Sequence, residues 1–90
     1  MVNERGNEMK FKFNWEIVAN NIFFTHIWHK NKILAFQIEA SRDFTSDKYV
    51  ADLIHSWNGI RLAGYFKDKE EIETKVARIL SEFDIVRLEW

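Results

Sequence analysis

A two-residue hydrophobic period, sustained from Phe11 to Ala40 and broken only at asparagine-bearing turns, constrains this chain more than any other feature. In an extended backbone "FKFNWEI" sets Phe11, Phe13, Trp15 and Ile17 on one side and Lys12, Asn14 and Glu16 on the other. "ANN" then supplies residues that tolerate left-handed backbone, the usual chemistry of a hairpin turn. "NIFFTHIWH" is a second strand and "HKNK" a second turn. "KILAFQIEAS" is a third strand, with Leu34, Phe36, Ile38 and Ala40 on one face and Ile33, Ala35, Gln37 and Glu39 on the other. Three strands in a meander follow.

The middle strand is apolar on both sides: Phe23, Thr25, Ile27 and His29 point one way, Ile22, Phe24, His26 and Trp28 the other. Turn length decides which side is core. A two-residue turn at Lys30 and Asn31 places Ile27 opposite Leu34, Thr25 opposite Phe36 and Phe23 opposite Ile38. The same length at Asn20 and Asn21 would turn Phe13 and Trp15 toward the even-numbered side and divide the core. A three-residue turn, Ala19 to Asn21, instead brings Ile17 opposite Phe23, Trp15 opposite Thr25 and Phe13 opposite Ile27. Burial favours that arrangement, which leaves the Phe24 side as a second apolar face.

In the second half the pattern reads as helical. Thr45 or Ser46 can cap a helix, Asp47 suits its first turn, and Tyr49, Val50, Leu53, Ile54 and Trp57 recur at helical spacing before Asn58 and Gly59. "IRLAGYF" reads as a short strand with Ile60 and Leu62 on one side. Asp68 and Glu71 form a capping box ahead of a stripe of Ile72, Val76, Ile79, Leu80 and Phe83. "DIVRLEW" ends the chain as a strand carrying Val86, Leu88 and Trp90 on one face. The expected fold is α+β: a mixed sheet of about five strands in the order β-β-β-α-β-α-β, with two helices on one face. Residues 1–8 are expected to form a flexible tail and residues 9–90 a single domain. The expected core is Phe11, Phe13, Trp15, Phe23, Ile27, Leu34, Phe36, Ile38, Leu53, Ile54, Ile72, Val76, Leu80, Val86 and Leu88.

Thirteen basic against 14 acidic residues argue against a non-specific polyanion binder or a polybasic membrane anchor. The absence of cysteine excludes disulfides, thiolate metal sites and cysteine nucleophiles, and fits a reducing compartment. MVNERGNE has no apolar signal region and no apolar run reaches membrane-spanning length, so the expectation is a cytoplasmic protein.

Catalytic signatures are missing. His26 and His29 point to opposite faces of one strand and cannot share a metal, and His55 is remote from both. Asp43, Asp47 and Asp52 lack the oxygen-ligand spacing of a calcium loop. Glu70, Glu71 and Glu73 suit a helix start, and no serine or glycine sits in a nucleophile elbow or phosphate loop. The sequence therefore points away from an enzyme, with no cofactor, no metal and no catalytic residue. The expected role is protein binding by the second apolar face, with Phe24, His26 and Trp28 as contacts and Lys12, Glu16, Gln37 and Glu39 at its rim. A small inhibitor or immunity-type protein that masks a larger enzyme or complex would suit such a surface, as would a homodimer. The alternative class is single-stranded nucleic-acid binding by base stacking on the aromatic face, with Arg61 and Arg87 assisting.

Overall fold

The computed structural model describes residues 11–56 and 58–82. Six strands, β1 (Phe11–Phe13), β2 (Glu16–Ala19), β3 (Ile22–His29), β4 (Lys32–Asp43), β5 (Lys48–His55) and β6 (Asn58–Arg61), precede one helix, α1 (Lys69–Glu82). They form a single sheet in the order β1-β3-β4-β5-β6, with β2 also paired to β3. Because β4 occupies one edge of β3 over nearly its whole length, β1 and β2 share the other edge, as two halves of a strand broken at Asn14 and Trp15. Every pair among the described strands is antiparallel.

The expected fold is thus corrected on three counts: among the described residues there are six strands and one helix, the element order differs, and the sheet is antiparallel rather than mixed. The reversal lies in residues 45–57. Tyr49, Ala51 and Leu53 alternate with Val50, Asp52 and Ile54 as well as they repeat at helical spacing, and both sets are partly apolar. A segment of aromatic and β-branched residues that gains ladder hydrogen bonds along both edges is more stable as a central strand. The residues read as a helix cap build a hairpin turn instead. Asp43 accepts bonds from the Thr45 backbone N–H (3.3 Å), the Thr45 hydroxyl and the Ser46 hydroxyl (2.8 Å), the Asp47 N–H donates to the Asp43 carbonyl (2.8 Å), and Asp47 takes a φ of 61°. Asn58 and Gly59, expected to end that helix, begin β6. The positive φ falls on Ser56 instead (59°).

The register expected for the first two strands holds, by a different device. Phe13 faces Ile27 and Ile17 faces Phe23, but the turn is Asn20 and Asn21 alone, with Ala19 paired to Ile22 and Val18 as an extra bulged residue. At the next turn Lys30 and Asn31 both have positive φ, 54° and 65°, as a two-residue hairpin turn of matching twist requires. The expected pairing holds only beside that turn, at Trp28 with Ile33 and His29 with Lys32. Beyond it β4 carries two extra residues, so Thr25 faces Ile38 and Phe23 faces Ala40. An even offset preserves which side each residue occupies.

The helix lies on the Ile27 side. Asp68 caps it as expected, accepting the Glu71 N–H (3.0 Å), while the Glu71 carboxylate reaches one residue further than a capping box does, to the Lys67 N–H (2.8 Å). Ile72, Val76 and Leu80 are fully buried and form the core with Ile27, Ile38, Leu34, Leu53, Ala40, Ala51, Leu62 and Phe66, and Phe11, Phe13, Trp15 and Phe36 pack around them. Two contacts fix the helix position: the Trp15 indole donates to Glu73 (2.7 Å), and the Lys69 ammonium sits 4.1 Å from the centre of the Phe23 ring. After β6, Tyr49 and Phe66 exchange two backbone bonds of 2.8 Å that carry the chain back beneath α1. Only Leu62 of the expected Ile60–Leu62 pair is buried, Ile60 being 67% exposed at the sheet edge. Ile54, expected in the core, occupies the opposite face, since its neighbour Leu53 pairs with Ile38 on the helix side. The expected tail, Trp57, Phe83 and the closing strand with Val86, Leu88 and Trp90 lie outside the described residues.

Candidate functional site

The sheet face turned away from α1 is assembled by register. Where β3 carries Trp28, β1 contributes Lys12 and β4 contributes Ile33. Beside His26 lies Gln37, and beyond it Ile54. Phe24 stands between Glu16 and Glu39, and that row continues through Asp52 to Arg61. All seven residues expected at an interface therefore share one face. No described helix or strand lies across it.

Along β3 the side chains pack on one another. Phe24 and His26 meet edge to face, ring centres 5.1 Å apart at 90°, and His26 meets Trp28 in the same manner at 5.9 Å and 71°. Alternation along a strand dictates this spacing, and edge-to-face packing matches the positive ring edge to a negative ring face. All three rings are partly buried. The Nδ1 of His26 is shielded from solvent and has no hydrogen-bond partner among the described residues. Beside Trp28, a shallow cleft of about 450 Å³ opens between Lys12, Phe13, Asn14 and Asn31.

Charge is unevenly distributed over the face. Glu16 and Glu39 flank Phe24, Lys12 stands beside Trp28, and Asp52 binds Arg61 at 2.5 Å. That hydrogen bond, reinforced by Coulomb attraction, raises the Arg61 pKa above its usual value. Among the described strand residues, Lys12, Lys48 and Arg61 stand on this face against Glu16, Glu39, Asp43 and Asp52. The Asp52–Arg61 pair, Val50 and Ile54 were missed by the sequence reading because residues 45–57 were assigned to a helix. The alternation of Val50, Asp52 and Ile54 was the available signal.

His29, Asp43 and Asp47 take part in local structure. His29 lies on the helix side, its ring 5.2 Å from that of Phe11, and burial, aided by the charge of Lys30, lowers its pKa. Asp43 is held below the usual carboxylate range by its bonds from Ser46 and Thr45. Asp47 pairs with Arg42 at the same turn. Among the described residues no group of three His, Cys, Asp or Glu side chains could hold a metal ion, and no helix is long and apolar enough to cross a membrane. No known family model matches the chain, and neither a curated protein nor a solved structure matches it significantly.

Proposed function

We propose that the chain is a non-catalytic recognition domain that binds protein through the face opposite α1. The observation that supports this reading is the Phe24–His26–Trp28 ladder, an ordered aromatic stripe within a rim of Lys12, Glu16, Gln37 and Glu39. Rigid aromatic side chains lose little conformational entropy on binding and present large area. Rim charges of opposite sign at the two ends of the stripe set orientation.

The test is retention on the immobilised chain, comparing wild type with Phe24→Ala, Trp28→Ala and, as a control on the other face, Ile60→Ala. Far-ultraviolet dichroism checks that each variant folds. The reading requires a bound protein, a further copy of the chain included, that is lost with both aromatic substitutions and kept with Ile60→Ala. Binding that survives Phe24→Ala and Trp28→Ala overturns it, as does a ligand whose affinity falls steeply with salt in the manner of a polyanion.

A further inference from the structure

Resting on that reading, we infer that the occupant of the aromatic face is a second copy of the same chain, docked face to face with its β3 antiparallel to the first. The inference comes from where charge falls about His26. Lys12 is level with Trp28, two residues to one side of His26, and Glu16 is level with Phe24, two residues to the other. Both belong to strands on the same edge of β3.

A two-fold axis through His26, in the plane of the interface and across the strands, keeps each strand column in place and reverses the order of rows. It sets Lys12 over Glu16 of the second copy, and Glu16 over its Lys12. Trp28 meets Phe24 of the second copy, twice by symmetry, and each Phe24 is delivered to the cleft that opens beside Trp28. The two His26 rings meet at the axis. Glu39 lies over Ile33 of the second copy at the margin, where its carboxylate can turn to water. Asp52 and Arg61 stay at the rim, already paired.

The competing two-fold, with its axis along β3, is excluded by the same charges. It would place the row of Glu16, Phe24 and Glu39 on its own image, bringing Glu16 against Glu39 of the second copy twice over, with no cation in that row nearer than Arg61, already bound to Asp52. Sheets packed face to face cross at about 30°, which moves a column one strand from the axis by only about 2–3 Å, so the Lys12–Glu16 contact tolerates the twist. Within one chain Lys12 and Glu16 lie about 13 Å apart along the edge and cannot pair with each other.

Charge reversal tests the arrangement. Sedimentation equilibrium from about 1 to 300 μM is run on wild type, Lys12→Glu, Glu16→Lys and the double reversal, with dichroism to check folding. The wild type is expected to dimerise within this range. Each single reversal sets like charges against each other at both symmetric contacts and should weaken the dimer by about tenfold or more, and the double reversal should return it to within about threefold of wild type. Because the two residues are too far apart to compensate within a chain, that rescue reports a contact between copies. A dimer that the single reversals leave unchanged, or that the double reversal does not restore, overturns the docking. So does a wild type that stays monomeric throughout. If that monomer still retains a foreign protein in a Trp28-dependent manner, the second copy is wrong and the recognition face stands. If it retains none, both readings fall.

Discussion

Removal of Val18 should leave the protein nearly as stable as before, whereas removal of Asn14, four residues earlier, should destabilise it severely. Val18 is the surplus residue of the bulge: Ala19 pairs with Ile22 and Ile17 with Phe23, so its deletion closes a regular ladder and leaves every side chain of β1 and β2 on its present face. The Asn20–Asn21 turn survives, and the lost side chain is 54% exposed. Its remaining contacts are worth less than about 1 kcal/mol. Deleting Asn14 shifts β1 by one position and turns Phe11 and Phe13, both packed around the core, to the face of Lys12. Half-buried phenyl groups contribute about 1 kcal/mol each, and the bond from the Asn14 N–H to the Thr25 hydroxyl (2.8 Å) is lost as well. The expected cost is about 2–4 kcal/mol, or about 10–25 °C in melting temperature for a domain of this size. Urea unfolding at low protein concentration, where self-association does not contribute, measures both. A Val18 deletion as damaging as the Asn14 deletion would show that the bulge, rather than the alternation, holds the first hairpin in place.

Three further outcomes follow from the fold. Stability should decline as pH falls below about 6.5, because buried His29 resists protonation while the unfolded chain takes up the proton at its ordinary pKa; the contribution is fully present above that pH and lost toward the depressed folded value, and His29→Leu should flatten the urea-midpoint profile between about pH 7 and 5. Ala40 and Ala51 face each other across β4 and β5 with almost no exposed surface, so Ala51→Leu should overpack the space beneath α1 and cost about 1–3 kcal/mol in urea unfolding. Asp68→Ala removes the acceptor for the Glu71 N–H and should cost about 1 kcal/mol, read in the same assay, with most of that loss recovered by Asp68→Ser.

Alternation was legible wherever the two sides of a strand differed. Phe13 and Ile38 were placed correctly because their neighbours Lys12, Asn14, Gln37 and Glu39 are polar, and Ile27 and Leu34 followed from them through the register of the hairpins. It failed at residues 48–55, where Val50 and Ile54 on the open face are as apolar as Tyr49 and Leu53 on the closed one, and helical and extended templates fit equally. Asp43 is the residue that distinguishes them, through three bonds to its own turn, whereas the sequence reading weighed it only as a calcium ligand and rejected that role. That Lys12, Glu16, Phe24, His26, Trp28, Gln37 and Glu39 share one face was legible for the reason the core was: register fixes both faces at once. Arg61 and Asp52 came together only through a strand pair that the helical reading had removed. Burial of Ala40, Ala51, Leu62 and Phe66 depends on where α1 crosses, and the helix stripe gives no such address.

The meander has a kinetic consequence. From β3 to β6 each strand pairs with the one next to it in sequence, across connections of a few residues, so little loop entropy must be spent before a contact forms. The β4–β5 hairpin, with eight paired positions and a turn clamped by Asp43, is the natural place for such a sheet to start. α1, whose contacts span the greatest sequence distance (Trp15 to Glu73), would then dock on a surface already in register. In a denaturant-jump experiment Asp43→Ala should therefore act chiefly on the folding limb and Val76→Ala chiefly on the unfolding limb, an order of events in which the aromatic face exists before the core beneath it is sealed.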